Sequence, residues 1–362
     1  MFKILDRYII GKYLRTFFFV SLIFTQIGVV IDFSEKVEEF IKKDVPVNEI
    51  IFEYYLTWIP YLNSLLWPLF AMIAVIYFTS RLASQSEIIS MLNAGMSFRR
   101  LLVPYLSAAA MITGLHLFAN HVLVPRGNKV RLNFEHRYTD TYADKGKTKD
   151  IHMFISPTTK VYIRFYSKSD TSARDFRLEE FRDNELVSMI KANRAEWMEE
   201  SGKWRLVDYE IRTFNGLEET LERHQREKID TTLNLYPADF VRYHNQREMM
   251  TTTEIREFVD IERQRGAGNT IQFQVEAARR TAEPFAIMIL TLIGVAVASR
   301  KTRGGRGIHL ATGLAIGAIF IFLSKFSITF ANSKAVAPAV GVWIPNIIFF
   351  LIALGLLSRA QK

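Results

Sequence analysis

The sequence predicts an α+β membrane protein, with six transmembrane helices in a three-plus-three arrangement and an inserted antiparallel β-sandwich of jellyroll-like character. Three observations carry this: six runs free of Lys, Arg, Asp and Glu, a polar block between the third and fourth runs, and period-two alternation inside that block. The chain divides accordingly into 1–124, 125–270 and 271–362.

The runs are Thr16–Ile31, Tyr54–Ser80, Leu101–Val124, Pro284–Ser299, Gly307–Ser324 and Ala335–Ser358. About 20 apolar residues of helix cross a hydrocarbon core. The first and fourth runs reach that length by borrowing flanks such as Tyr8–Arg15 and Thr281–Glu283, whose charged members snorkel to the headgroups. A cleaved leader would end in a small-x-small site, and none follows Phe17–Phe19.

Orientation follows from loop charge, because short cytoplasmic loops carry an excess of Lys and Arg. Lys3, Arg7, Lys12 and Arg15, then Arg81, Arg99 and Arg100, then Arg300, Lys301, Arg303 and Arg306, and finally Arg359 and Lys362 share one side. In the opposite loop Asp32, Glu35, Glu38, Glu39, Asp44, Glu49 and Glu53 outnumber Lys36, Lys42 and Lys43. Both termini are therefore expected in the cytoplasm and the polar block outside the membrane. The net charge of +9 is split among loop ends and forms no basic stripe with interleaved aromatics, so it reads as topology, with no nucleic-acid partner. Without cysteine the chain has no disulfide, thiolate metal ligand or thiol nucleophile.

Inside the polar block, Val161, Ile163 and Phe165 alternate with Tyr162, Arg164 and Tyr166, as in a half-buried strand. Further strands are expected at Phe176–Phe181, Leu186–Lys191, Ala195–Met198, Trp204–Val207 and Tyr209–Phe214, with turns at Asp183-Asn184 and Ser201-Gly202. Thr251–Arg265, opened by the capping signal Thr251-Thr252-Thr253-Glu254, reads as a charged amphipathic helix. His152, His224 and His244 are scattered, with no HExxH and no nucleophile elbow. Gly146-Lys147-Thr148 looks like the tail of a phosphate loop, but Thr141 stands where its first glycine belongs. No catalytic residue, metal site or cofactor site is expected in this chain.

Two segments next to the spans invite a sharper reading. From Ser86 to Met96, within a connecting segment at 84–97, Ile88, Met91, Leu92 and Gly95 recur at helical spacing, with Gly95 as a stop. Such a short helix is either a connector resting on lipid or a docking helix, its apolar knob entering a groove on a cytoplasmic partner while Glu87 pairs with a basic residue there. Pro60, Pro68 and Pro284 are expected to kink their spans. Gly313-Leu314-Ala315-Ile316-Gly317 allows close helix contact, either within this chain or with a second permease.

The opening Met1-Phe2-Lys3-Ile4-Leu5-Asp6-Arg7-Tyr8-Ile9, the segment Ser86-Glu87-Ile88 to Ala94-Gly95-Met96, and the ending Trp343-Ile344-Pro345-Asn346 resemble the LptF/LptG permeases of lipopolysaccharide export. The Leu5-Asp6-Arg7-Tyr8 start is more similar to the LptG branch, and the resemblance covers essentially the whole chain. It implies an inner-membrane subunit of an ATP-driven exporter with a periplasmic β domain, paired with an LptF-like permease, an LptB-like ATPase dimer and an LptC-like single-span protein. The ATPase docks, by this resemblance, on Glu87, Ile88, Met91, Leu92, Ala94 and Gly95, and ATP is consumed by that partner alone.

Lipid A carries phosphates, so its path requires cations near the outer leaflet and an apolar wall. Lys36, Lys42, Lys43 and Lys325 stand at that depth, each alternatively an ordinary interfacial anchor. Asp32, Glu38 and Glu39 interleave with the first three, a departure from the family's lysine-rich pattern that a divalent ion or a less phosphorylated substrate would accommodate. The competing classes are a mechanotransmission subunit of an ABC system, which commonly has fewer spans, and an intramembrane enzyme, for which only His116, His121 and His309 lie within spans.

Overall fold

The computed structural model describes residues 4–138, 148–240, 245–266, 270–300 and 305–360. Met1 to Lys3, Thr141, Gly146, Lys147, His244, Lys301, Arg303 and Lys362 of the sequence motifs lie outside the described residues, as does the side chain of Arg306. The chain forms two compact units, Met1–Thr139 with Glu248–Thr253 and Ile271–Lys362, and Asp140–Arg247 with Glu254–Thr270.

The first unit holds six helices long and apolar enough to cross a membrane. They are α1 (Ile4–Lys42), α2 (Val47–Ser84), α4 (Phe98–Tyr138), α6 (Ile271–Ala298), α7 (Gly305–Asn332) and α8 (Pro338–Ala360), with the short α3 (Glu87–Asn93) between α2 and α4. Helix α1 has 39 residues. At 1.5 Å per residue that is about 58 Å, nearly twice a bilayer core. The overhang stays helical because Lys36 pairs with Asp32, Lys42 with Glu38 and Lys43 with Glu39, each four residues apart. Helix α4 likewise continues past Pro125 to Tyr138, and the first strand begins at Lys149. Both α2 and α4 contain a π-helical stretch, Ile50–Tyr55 and Ala119–Leu123.

Helix α6 is the hub: 67% of its apolar window is buried, against 17% for α1 and 22% for α7. Glycines set the closest approaches. A Cβ on Gly294 would meet Val75 at 2.4 Å, and one on Gly313 or Gly317 would meet Ile76 at 2.1 Å or Leu69 at 2.5 Å. The small-residue motif of α7 therefore packs against α2 of the same chain. Prolines sit inside α2, α4, α6 and α8. Beside Pro284, neighbouring helices satisfy the backbone: Thr113 Oγ1 donates to the Pro284 carbonyl at 3.2 Å and Asn346 Nδ2 to the Ala282 carbonyl at 2.7 Å.

The second unit is built on one antiparallel sheet in sequential order, β1 (Lys149–Ser156), β2 (Thr159–Ser167), β3 (Ser172–Arg182), β4 (Glu185–Met198), β5 (Lys203–Asn215) and β6 (Glu218–Thr231). The α+β class with an inserted antiparallel β domain is as expected, and its six strands are hydrogen-bonded into one continuous sheet. Across it runs a row of kinks. Asp150, Asp175, Asp208 and Arg226 have φ of 49°, 51°, 51° and 63°, and the register aligns them with Arg164 and Asn193 of the strands between. On each side of the row the inward residues are three apart, as at Ile163 and Tyr166, Ala173 and Phe176, and Ala192 and Ala195, yet all join one core. In β1, β3, β5 and β6 the row holds a residue near the left-handed region, whereas β2 and β4 change phase beside Arg164 and Asn193 without one. The core is closed by the segment after β6, where Leu233, Leu235 and Phe240 are buried. There Trp204 Nε1 donates to the Leu235 carbonyl at 2.8 Å and Tyr166 stacks on Phe240. Helix α5 (Thr252–Gln264) follows, and just beyond it Arg265 pairs with Asp239 at 3.0 Å and Glu262 at 3.3 Å.

Candidate lipid-binding and coupling sites

Helix α3 is short because both ends are fixed by backbone. Ser86 enters it with φ of 61°, and Gly95 leaves it with φ of 88°, its N–H bonding the Leu92 carbonyl at 3.0 Å. Ile88 is 1% exposed and joins the main core, against which Met91 and Leu92 also pack. Ile89, Ser90, Asn93, Ala94 and Gly95 are exposed, so the outward stripe is small and mixed in polarity. Glu87 is half-buried, its Oε2 accepting from the Tyr8 hydroxyl at 3.4 Å. Sequence periodicity could not separate the two faces, because Ile88 and Ile89 are adjacent and identical in character.

The predicted lipid-phase cations lie in three different settings. Lys36 is held among groups of its own chain: Asp32 at 3.5 Å, Glu135 of α4 at 3.7 Å, and the Tyr54 hydroxyl and ring of α2. Tyr54 and Tyr55 also donate to the two oxygens of Asp32, at 3.0 and 3.2 Å. Lys42 and Lys43 are on the exposed end of α1, each paired with a glutamate one turn back at 3.4 and 3.3 Å. Lys325 is exposed on α7 and has no carboxylate partner among the described residues.

A second set of charges was not anticipated. Arg131 of α4 is 8% exposed at its side chain, bonds Glu135 at 2.9 Å and stacks over Tyr61. At the start of α6, Arg279 is clasped by Glu276 at 3.0 Å and Glu283 at 2.8 Å, while Arg280 bonds Glu276 at 2.9 Å and the Met250 carbonyl at 2.7 Å. The spacing of Glu276, Arg279, Arg280 and Glu283 is the signal that was available, since i,i+3 and i,i+4 pairs share a helix face. These pairs balance in sign. A buried balanced cluster contributes little net stability against its desolvation, but loss of one member leaves a charge unpaired. Of the in-span histidines, His116 is enclosed beside Trp67, and His121 bridges Thr252 and Thr281 at 2.7 and 3.3 Å.

An apolar cavity of about 450 Å³ opens between α4, α6 and α8, lined by Leu106, Phe285, Met288, Leu292, Trp343 and Phe350. Along α1, Phe18, Phe19, Leu22, Phe24, Ile27 and Val30 are exposed, an apolar wall suited to acyl chains or a partner helix.

The family model for the lipopolysaccharide export system permease LptF/LptG matches residues 7–359. The chain belongs to the LptF/LptG permease family. It is 21% identical over 373 residues to the lipopolysaccharide export system permease protein LptG of Haemophilus influenzae, with all of both chains covered. The LptG-like character of the opening residues agrees with that relative. Membership makes this permease a multi-pass inner-membrane subunit of lipopolysaccharide export.

Proposed function

We propose that this permease is the LptG-like half of an ATP-driven exporter that takes lipopolysaccharide from the outer leaflet of the inner membrane and passes it to a periplasmic bridge. Both termini and α3 face the cytoplasm, and the bent β domain is periplasmic. An LptF-like permease is its partner in the membrane, an LptC-like single-span protein joins them, and an LptB-like ATPase dimer binds below and consumes the ATP. The match of the family model to residues 7–359 carries this reading. It is supported by an α3 whose outward face is free and whose inward face is anchored.

In this proposal Glu87, Ala94 and Gly95 meet the ATPase directly, together with the exposed Ile89, while Ile88, Met91 and Leu92 seat the helix from beneath. The lysines divide by energy. Exposed pairs such as Lys42 with Glu38 are worth about 0–1 kcal/mol, so a lipid phosphate displaces the carboxylate readily. Lys36, held by Asp32, Glu135 and Tyr54, gives up more to reach a phosphate and engages later or not at all. Lys42, Lys43 and Lys325 are therefore the first contacts.

Photoreactive side chains placed at Lys36, Lys42 and Lys325 in membranes making lipopolysaccharide test the path. Cross-linking strong at 42 and 325 and weak at 36 is expected; none at 42 and 325 would refute it. For docking, Glu87→Ala should reduce ATPase co-purification, and undiminished recovery would remove Glu87 as a contact.

A further inference from the structure

Helix α1 joins two structured ends of the first unit. Its inner face is a single stripe, Asp6, Ile9, Tyr13, Phe17, Ser21 and Thr25, all buried. At the N-terminal end, Asp6 is 2% exposed and its Oδ2 accepts from Arg100 Nη2 in the first turn of α4 at 2.6 Å. Two residues on, the Tyr8 hydroxyl reaches Glu87, the first residue of α3. Beneath them Ile9 and Ile88 are fully enclosed in one core, with Leu5, Met91, Leu92 and Phe98 packed around it. Helix α3 thus meets α1 through the Tyr8–Glu87 bond, with Ile9 and Ile88 enclosed in the same core, and the adjoining start of α4 is pinned to the same turn of α1.

The Arg100 pair has a physical reason to persist. A cation in the first turn of a helix opposes the helix dipole, and Arg100 Nη1 is buried without a hydrogen-bond partner. The Asp6 carboxylate, bonded to Nη2, offsets the charge of the guanidinium. Between its ends α1 carries no proline, whereas α2 carries Pro60 and Pro68 and α4 carries Pro104. An uninterrupted helix transmits displacement along its axis; proline sites absorb it. At the far end of α1 stand Lys36 and Lys42, with Lys43 just beyond it.

We propose that Asp6 and Tyr8 are positioning residues that fasten α1 to the start of α4 and to α3, so that a displacement imposed on α3 and the adjoining turn of α4 moves α1 as a rod and reaches the lysines at its far end. The inference rests on the exporter reading and adds to it a specific route from ATPase to lipid. In it, Asp6 fixes the turn of α1 against α4, Tyr8 holds the Glu87 end of α3, and the apolar core that encloses Ile9 and Ile88 carries the push.

The test uses the complex purified on this chain with its co-purifying subunits. Spin labels replace Ile41, exposed at the far end of α1, and Val340, exposed on α8. In the otherwise unaltered chain, vanadate trapping with ATP should change the distance between the labels. In Asp6→Asn that change should disappear and lipid released per ATP should fall about tenfold, within the range of coupling between distant sites, while basal ATP turnover and subunit recovery persist. Asp6→Glu should restore both. Tyr8→Phe, which removes only one hydroxyl, should show the same loss in smaller degree and serves if Asp6→Asn fails to assemble. An unchanged distance response in both variants, or no response in the parent complex despite a bound ATPase, would overturn the rod. Absence of any co-purifying ATPase would instead overturn the exporter reading itself.

Discussion

Glu276 is a residue whose loss should cost a great deal. It accepts from both Arg279 and Arg280 and is 7% exposed, so Glu276→Ala leaves the buried Arg280 without its carboxylate and the half-buried Arg279 with Glu283 alone. Breaking a buried pair costs about 3–5 kcal/mol, and the melting temperature of the detergent-solubilised protein should drop accordingly; a shift no larger than that of a surface variant would show the cluster to be dispensable. Lys42→Gln is the contrast, costing under about 1 kcal/mol because its pair is exposed, while weakening lipid cross-linking. The position of Lys36 after the first span marks it as a candidate phosphate ligand, and spacing cannot show that Glu135, ninety-nine places on, lies 3.7 Å from it. Partners that distant leave no trace in spacing, whereas Glu276 and Arg280, one turn apart, were legible and passed over because they lie just outside the charge-free run.

Among the elements, the strands show most clearly what a pattern can carry. The breaks read between Leu186–Lys191 and Ala195–Met198, and between Trp204–Val207 and Tyr209–Phe214, fall at Asn193 and Asp208, where continuous strands bend. The change of phase was real; its cause was a kink and not a turn. Strands β1 and β6 escaped notice, β6 because it is almost wholly exposed and charged. Asp208 sits at φ of 51° and its Oδ1 accepts from the Arg226 backbone N–H at 2.6 Å. Asp208→Val should therefore cost about 1–2 kcal/mol from the left-handed backbone alone, with Asp208→Gly milder, read as the thermal unfolding of the full chain; equal effects would place the cost elsewhere. In the same strand, Arg205 makes two hydrogen bonds to Asp230, at 2.7 and 2.9 Å, and these hold that carboxyl below its ordinary value. A depressed carboxyl stabilises the fold above the ordinary carboxylate range and loses that contribution as pH falls through the depressed value. Arg205→Gln should thus lose stability at neutral pH and show a flatter decline on acidification, measured by unfolding between neutral pH and pH about 3.

At the scale of the molecule, the six spans were legible because hydrocarbon demands long apolar helices and nothing else in this chain resembles them. Their lengths were not, since intrahelical ion pairs extend α1 and α4 well past the oily runs. The order of strands in the sheet was not legible, because period two reports strand burial and says nothing of which strands share hydrogen bonds. What unites the two ends of the permease is a division of labour by exposure: α3 is anchored inward and free outward, and the lysines at the end of α1 pass from clasped to loosely paired within two turns. Native mass spectrometry of the complex purified on this chain from its own membranes tests the exporter claim most directly. The account predicts a particle containing this chain, a homologous permease and two ATPase subunits, with lipopolysaccharide bound and released on ATP addition. An ATPase recovered with no glycolipid bound, before or after ATP, would contradict it and favour a subunit that transmits force without carrying lipid.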